Sequence, residues 1–299
     1  MDTVKKYFST QPEKVLYHYT SLKGLLGLID KKEIWATNIF CVNDQSELKR
    51  AISLLTDELT SRIEPLKKNY FELAPRAIGT EINPDIIKIR EKIRFMESIK
   101  DVVDDVISED RAQFYVCSFT ELNDNLNQWR GYCQDGNGFS IGFDFTTQKV
   151  DRAIAIRRCE YNEDKQKEIL KYLLDRWFNA SKKIPTNILP ELVSKAVNDF
   201  FAIAPLFKHP KYQEENEWRI VVSGKTDKFY NNVKFVESND IIKPYYCLPL
   251  NRLPTIADIR VGPSSHTDLN TSTAKLFLKS KNMDSSIISK SKIPYRGKL

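Results

Sequence analysis

The stretch Val15–Asn38, VLYHYTSLKGLLGLIDKKEIWATN, decides how the chain begins to fold. "LYHYT" mixes aromatic and β-branched residues and reads as a strand. "SLKGLLGLIDKKE" carries leucines at 22, 25 and 26 and an isoleucine at 29, which is helical spacing. Alternation puts Leu16, His18 and Thr20 on one strand face and Val15, Tyr17 and Tyr19 on the other. His18, one of three histidines in the chain, therefore sits near the C-terminal end of a strand, facing a core or a cleft. Alone, that placement favours a core histidine over a ligand.

Outward from this start, "EIWATNIFCVND" reads as a second strand and a turn. Residues from about 45 to 111 read as helical, with an apolar stripe of Ile86, Ile89, Ile93, Met96, Val103 and Ile107. Pro65, Pro75 and Pro84 are expected to divide this region into two or three helices. A second helical segment runs from about 163 to 207, interrupted near Pro185 and Pro190. Later strands are expected at "YYCLPL", "TIADIRV" and "SSIISKS", with a helix at "LNTSTAKLFLKSKN". This order predicts an α+β fold in a single domain spanning residues 1–299. Its mixed or antiparallel sheet core is interrupted by two long helical insertions, at about 45–111 and 163–207.

The most informative passage is "AQFYVCSFTELNDNLNQWRGYCQDGNGFSIGFDF". It predicts a strand at "FYVCSFT", a short helix capped by Asn123 or Asp124, a turn at "QDGNG" and a strand at "FSIGFDF". Leu122, Leu126, Trp129 and Cys133 share the inward face of that helix, with Tyr132 beside it at a pocket edge. In "EENEWRIVV", strand alternation groups Glu215, Glu217 and Arg219 on one face and Trp218, Ile220 and Val222 on the other. The apolar face is expected to be buried and the charged face solvated.

Composition narrows the function classes. The chain is 41% hydrophobic and 29% charged, as in a soluble globular protein. No apolar run approaches the roughly 18 residues of a membrane span. "MDTVKKYFSTQPEK" lacks the apolar centre of a signal peptide. Five scattered cysteines, none in a C-x-x-C pair, point to free thiols in a reducing cytoplasm. His209 and His266 have no metal-ligand spacing, so no metal is expected. The net charge of +6 permits a polyanionic partner without demanding one.

The order of these segments resembles the His-Tyr-Glu branch of the ADP-ribosyltransferase superfamily. "LYHYTS" looks like its first motif, "FYVCSFTELNDNLNQWRGYC" resembles the second, and "EENEWR" is similar to the third. More broadly, the chain resembles a bacterial family catalogued as a domain of unknown function and grouped with that superfamily. Its recurrent features stand here as "YHYTS", "WATN", "VNDQSE", "SFT", "NQWRGY", "GFSIGFD", "FKHPKY", "ENEWR", "VGP" and "IPYR". The resemblance implies an ADP-ribosyltransferase-like core and NAD as substrate. His18 would hold a ribose hydroxyl, with Tyr19, Thr20 and Ser118 beside it as NAD-binding residues. Tyr132 or Trp129 would stack on nicotinamide. Glu217 would be the catalytic carboxylate, and Glu215 would orient or activate the nucleophile. Arg130 and Arg219 are candidates for the pyrophosphate, with surface ion pairing as the alternative. In "VNDQSE", Asn43 is either a helix cap, as Asp44 could be, or a cleft residue.

Those residue types suit the chemistry. Breaking the bond between nicotinamide and ribose builds positive charge on the sugar, as in other oxocarbenium-like glycosyl transfers. A carboxylate fixed beside it stabilises that charge. No Gly-x-Gly-x-x-Gly follows a strand, so a Rossmann mode of NAD binding is not expected. The expectation is a cytoplasmic mono-ADP-ribosyltransferase, a toxin or antiviral defence effector, that modifies a macromolecule. RNA or DNA is slightly favoured over protein as acceptor, and an antitoxin is a further candidate partner. The rivals are an NAD glycohydrolase and a non-catalytic nucleic-acid-binding module on the same fold.

Overall fold

The computed structural model describes residues 9–42, 45–73, 84–108, 114–133, 136–146, 156–181, 189–224, 226–238 and 240–294. The chain begins with β1 (Leu16–Ser21), α1 (Leu22–Lys31) and β2 (Glu33–Asn38), then α2 (Gln45–Leu73) and α3 (Pro84–Ser108). β3 (Phe114–Thr120), α4 (Leu126–Tyr132), β4 (Gly138–Phe143) and β5 (Ile156–Arg158) follow, then α5 (Glu163–Ser181) and α6 (Leu189–Ile203). The remainder is β6 (Glu217–Ser223), α7 (Asp227–Tyr230), β7 (Val233–Ser238), β8 (Ile241–Pro249), β9 (Ile256–Val261), α8 (Thr267–Ser280) and β10 (Ile288–Lys290).

These elements form two compact units. Both helical stretches fall in one, which includes Ile39–Phe114 and Glu160–Pro210. The other comprises Thr10–Asn38, Tyr115–Cys159 and Lys211–Leu299 and carries the sheet.

The sheet has the order β10-β9-β4-β1-β3-β2-β8-β7, with β6 pairing β3 and β5 off that path. It is mixed: β9 and β10 run parallel, whereas β1–β4, β2–β8 and β7–β8 are antiparallel. Its core gathers Leu16, Phe119, Ile141, Phe143 and Ile220 with Leu25, Leu28 and Ile29 of α1. Each such side chain contributes about 1.5–3 kcal/mol by leaving water. The Ser21 hydroxyl caps α1 by accepting from Gly24 N at 3.1 Å, and Lys32 closes the helix in the left-handed region. Gly24 is glycine because a Cβ there would collide with the Thr20 hydroxyl. Of the predicted leucine spacing, Leu26 lies outside and Leu28 takes the inward place.

In the helical unit the expected stripe on α3 is buried at Ile86, Ile93, Met96 and Val103, joined by Ile99. Pro65 does not divide the helix: α2 runs through it. An internal proline costs about 3 kcal/mol, and burial of Leu48, Leu55, Leu59 and Ile63 along the same helix offsets it. Pro84 opens α3 and Pro190 lies in the first turn of α6, where a missing N–H costs nothing. Pro75 and Pro185 lie outside the described residues. Glu47 of "VNDQSE" meets Lys208 of "FKHPKY" in a buried ion pair at 3.0 Å. Among the described residues no helix is long and apolar enough to cross a membrane.

Candidate functional site

β1 and β4 share six registered pairs, from Leu16–Phe143 to Ser21–Gly138. On its other edge β1 shares a single pair with β3, Tyr17–Thr120. The sheet therefore opens between β1 and β3. Where a ladder would continue, the His18 side chain reaches across, and its Nδ1 donates to the Ser118 carbonyl at 3.0 Å. A small open recess lies there, lined by Tyr17, His18, Ser118, Gln128, Tyr132 and Glu217 among others.

The carbonyl fixes the histidine tautomer: with the proton on Nδ1, Nε2 is left as an acceptor. Burial lowers the His18 pKa, and the Ser118 hydrogen bond offsets only part of that. The ring is therefore neutral at neutral pH, an acceptor rather than an acid. Phe119 packs beside it at 5.8 Å between ring centroids. Burial, reinforced by the charge of Glu217, pushes the Cys117 thiol up, which keeps it protonated.

Glu217 enters from a third segment. A 3-10 turn ends at Glu215, Asn216 takes the left-handed region at φ 44°, and β6 begins at Glu217. Asparagine tolerates that conformation better than branched residues do. The Thr120 hydroxyl donates to the Glu215 carbonyl at 2.6 Å, and Glu121 N donates to the Asn216 carbonyl at 3.3 Å. Trp218 Nε1 reaches the Glu121 carboxylate at 3.0 Å, and Cys159 N bonds the Glu217 carbonyl at 2.9 Å. Glu217 is thus held from both sides.

The expected solvated charged face of β6 is absent. Glu217, Trp218, Arg219 and Ile220 are all buried, Trp218 and Ile220 within the main core. Instead the charges satisfy each other. Arg219 Nε donates to Glu217 Oε1 at 2.7 Å and Nη2 to Oε2 at 3.1 Å, with side chains 7% and 4% exposed. Arg219 therefore orients Glu217 and is not a surface ion pair. Glu215 is half-buried and also lines the recess.

On the third wall, α4 is capped by Asn125, not by Asn123 or Asp124. Its Oδ1 accepts from Asn127 N at 2.9 Å and Gln128 N at 3.3 Å. Trp129 is 0% exposed, packed edge-on to Tyr19 at 4.7 Å. It cannot offer a face to a ligand. Tyr132, 40% exposed, is the aromatic that α4 presents to the recess.

The other sequence candidates are placed as follows. Tyr19 lines the recess, but its hydroxyl is engaged, donating to Leu122 O at 2.9 Å and accepting from Asn125 N at 3.1 Å. Thr20 turns its hydroxyl toward Gly24 and does not line the recess. Arg130 is exposed on α4 and does not line it either. Asn43 and Asp44 lie outside the described residues. Sequence reasoning missed Gln128 and Tyr17, although Gln128 stands four residues before Tyr132 on one helix face. Among the described residues no group of three or more His, Cys, Asp or Glu side chains is arranged for a metal ion.

Residues 128–220 match the model of a family described as a protein of unknown function (DUF2971). That span begins within α4 at Gln128, holds Tyr132 and the Glu217–Arg219 pair, and starts well after His18. The family description carries no link to the ADP-ribosyltransferase superfamily. No curated protein and no solved structure matches the chain.

Proposed function

We propose that the protein is an NAD-dependent mono-ADP-ribosyltransferase with an ADP-ribosyltransferase-like core, acting on a macromolecule. One observation carries this reading. His18, Tyr132 and Glu217, far apart in sequence, line one recess where the sheet opens between β1 and β3. His18 Nε2 accepts a hydrogen bond from a ribose hydroxyl of NAD, and the Tyr132 ring packs on nicotinamide. As the bond from the ribose C1′ to the nicotinamide nitrogen breaks, its electron pair leaves with nicotinamide. The Glu217 carboxylate stabilises the cationic sugar until the acceptor nucleophile bonds to C1′ and loses its proton. Glu215 stands at the same recess to orient the nucleophile.

The +6 charge favours a nucleic acid over an acidic protein as acceptor. Five free cysteines suit a reducing cytoplasm, where a toxin or defence effector restrained by an antitoxin would act. The bidentate Glu217–Arg219 pair favours a second reading, a binding module in which the glutamate is structural. Incubation with labelled NAD and cell lysate, followed by separate nuclease and protease digestion, tests the transferase. Label in either digest is the expected result. Nicotinamide release without labelled polymer would mean NAD hydrolysis. No release, and no binding at millimolar NAD, would leave the module.

A further inference from the structure

We propose that Asp124 is a positioning residue of this recess, clamping the segment Ser291–Ile293 against α4 so that Gln128 and Tyr132 stand fixed on its wall. The ligand arm of the test rests on the transferase reading. α4 spans only seven residues, fewer than a helix needs to hold itself in water. Its order must come from ties to the rest of the sheet unit, and these converge on one carboxylate. Asp124 Oδ1 accepts from Trp129 Nε1 at 2.8 Å and from the Ser291 hydroxyl at 2.7 Å. Its Oδ2 accepts from Lys292 N at 2.8 Å and lies 3.6 Å from Arg260 Nη1. The side chain is 12% exposed. Ile293 completes the clamp by packing on the Tyr19–Trp129–Cys133 cluster, its N–H donating to Ser291 Oγ at 3.1 Å.

The two residues before α4 therefore divide the work. Asn125 satisfies the first backbone N–H groups of the helix, and Asp124 anchors its inward-facing indole to β9 and to the segment after β10. With Trp129 held inward, Gln128 and Tyr132 are turned to the recess. Nothing in the described geometry brings Asp124 to the recess itself, so its effect must pass through α4.

Asp124→Asn keeps the volume but puts an NH2 group opposite donors. Ser291→Ala, the milder variant, removes one hydroxyl and serves where Asp124→Asn does not fold. Hydrogen exchange is read on the amides of Leu126–Tyr132 in the full chain. Exchange faster by about tenfold or more is expected in both variants, from the loss of hydrogen bonds to a charged group. Amides of β4 should be unchanged. Unaltered exchange in α4, or equal acceleration in β4, overturns the clamp. Calorimetry with NAD and with ADP-ribose reads the consequence. NAD should bind about tenfold more weakly and ADP-ribose as in the wild type, because only the nicotinamide wall is loosened. Equal losses for both ligands, or no loss for either, overturn the positioning role. A wild type that binds neither ligand removes the transferase reading and leaves the exchange result to decide the clamp alone.

Discussion

The sheet unit and the helical unit each hold a buried carboxylate–cation pair, and the two pairs differ in what surrounds them. Glu217 and Arg219 lie two residues apart on one strand, bonded through both oxygens, with Glu217 on the wall of the recess. Glu47 and Lys208 join α2 to the segment after α6, with side chains 5% and 4% exposed. Beside them Gln166 Nε2 donates to the carbonyls of Glu160 and Lys208 at 2.6 and 2.8 Å. Desolvation makes a buried pair weak as a source of net stability, although removing one partner is costly. Glu47–Lys208 ties together segments distant in sequence, a structural use. Glu217–Arg219 joins two residues of one strand, and Glu217 lines a recess.

The largest effect that separates the two pairs is expected at Glu217. Glu217→Gln removes charge at constant volume, so turnover should fall by about 10²-fold or more, with NAD affinity changed far less. The same change weakens the buried bidentate contact with Arg219, so the melting temperature should also fall. Steady-state nicotinamide release and calorimetric NAD binding on the folded fraction separate the two effects. Activity within a few-fold of wild type would make this pair structural after all, like the other.

Glu47→Gln should do the reverse. Removing the Glu47 charge beside buried Lys208 should cost about 3–5 kcal/mol by denaturant unfolding, while NAD binding by the folded protein stays at its wild-type value. Loss of NAD binding without loss of stability would break the contrast.

Much of the fold could be read from particular residues. Alternation in "LYHYT" correctly grouped Tyr17 with Tyr19, which meet Trp129 and Cys133 on one sheet face. The spacing of Leu25 and Ile29 located α1 and its buried side. What failed depended on partners distant in sequence. β6 reads as half-exposed because its sequence does not show what covers the charged face, where an ion pair within the strand engages its charges. Three adjacent residues could cap α4, and Asp124 was drawn away by Trp129 and Ser291. β5, with three residues, and β7, with Lys234 and Glu237 on opposite faces, carry too little local signal to be found. The recess was legible as three motifs but not as an opening, because a missing strand ladder leaves no mark on either strand.

His18 is expected to rank next. His18→Ala removes one or two hydrogen bonds and should weaken NAD by about 1–3 kcal/mol. Because burial lowers its pKa below 6.5, the folded state keeps the ring neutral where the unfolded chain would take a proton. Its stabilisation is complete above the ordinary histidine value and is lost as pH falls from there toward the depressed folded value. NAD affinity should decline at lower pH, as the folded ring itself protonates and Nε2 ceases to accept. Urea unfolding across that range should slope downward on acidification in the wild type and less in His18→Ala. Identical slopes would remove His18 from the account of both stability and binding.

The smallest expected effect decides between the two aromatics of α4. If Tyr132 packs on nicotinamide, Tyr132→Phe should bind NAD as the wild type does, and Tyr132→Ala should lose about 0.5–1.5 kcal/mol, the worth of one aromatic contact. Trp129→Phe should leave the ring contact with Tyr19 largely in place but remove a donor from Asp124, so its cost should appear in thermal stability. Its affinity should change only as far as α4 loosens. The two variants therefore pull on different observables although their residues are three apart on one helix. A Tyr132→Ala protein with unchanged NAD affinity would leave the nicotinamide face to Tyr17, the other partly exposed aromatic on the recess wall. The opening between β1 and β3 would then bind its ligand from the strand side rather than from α4.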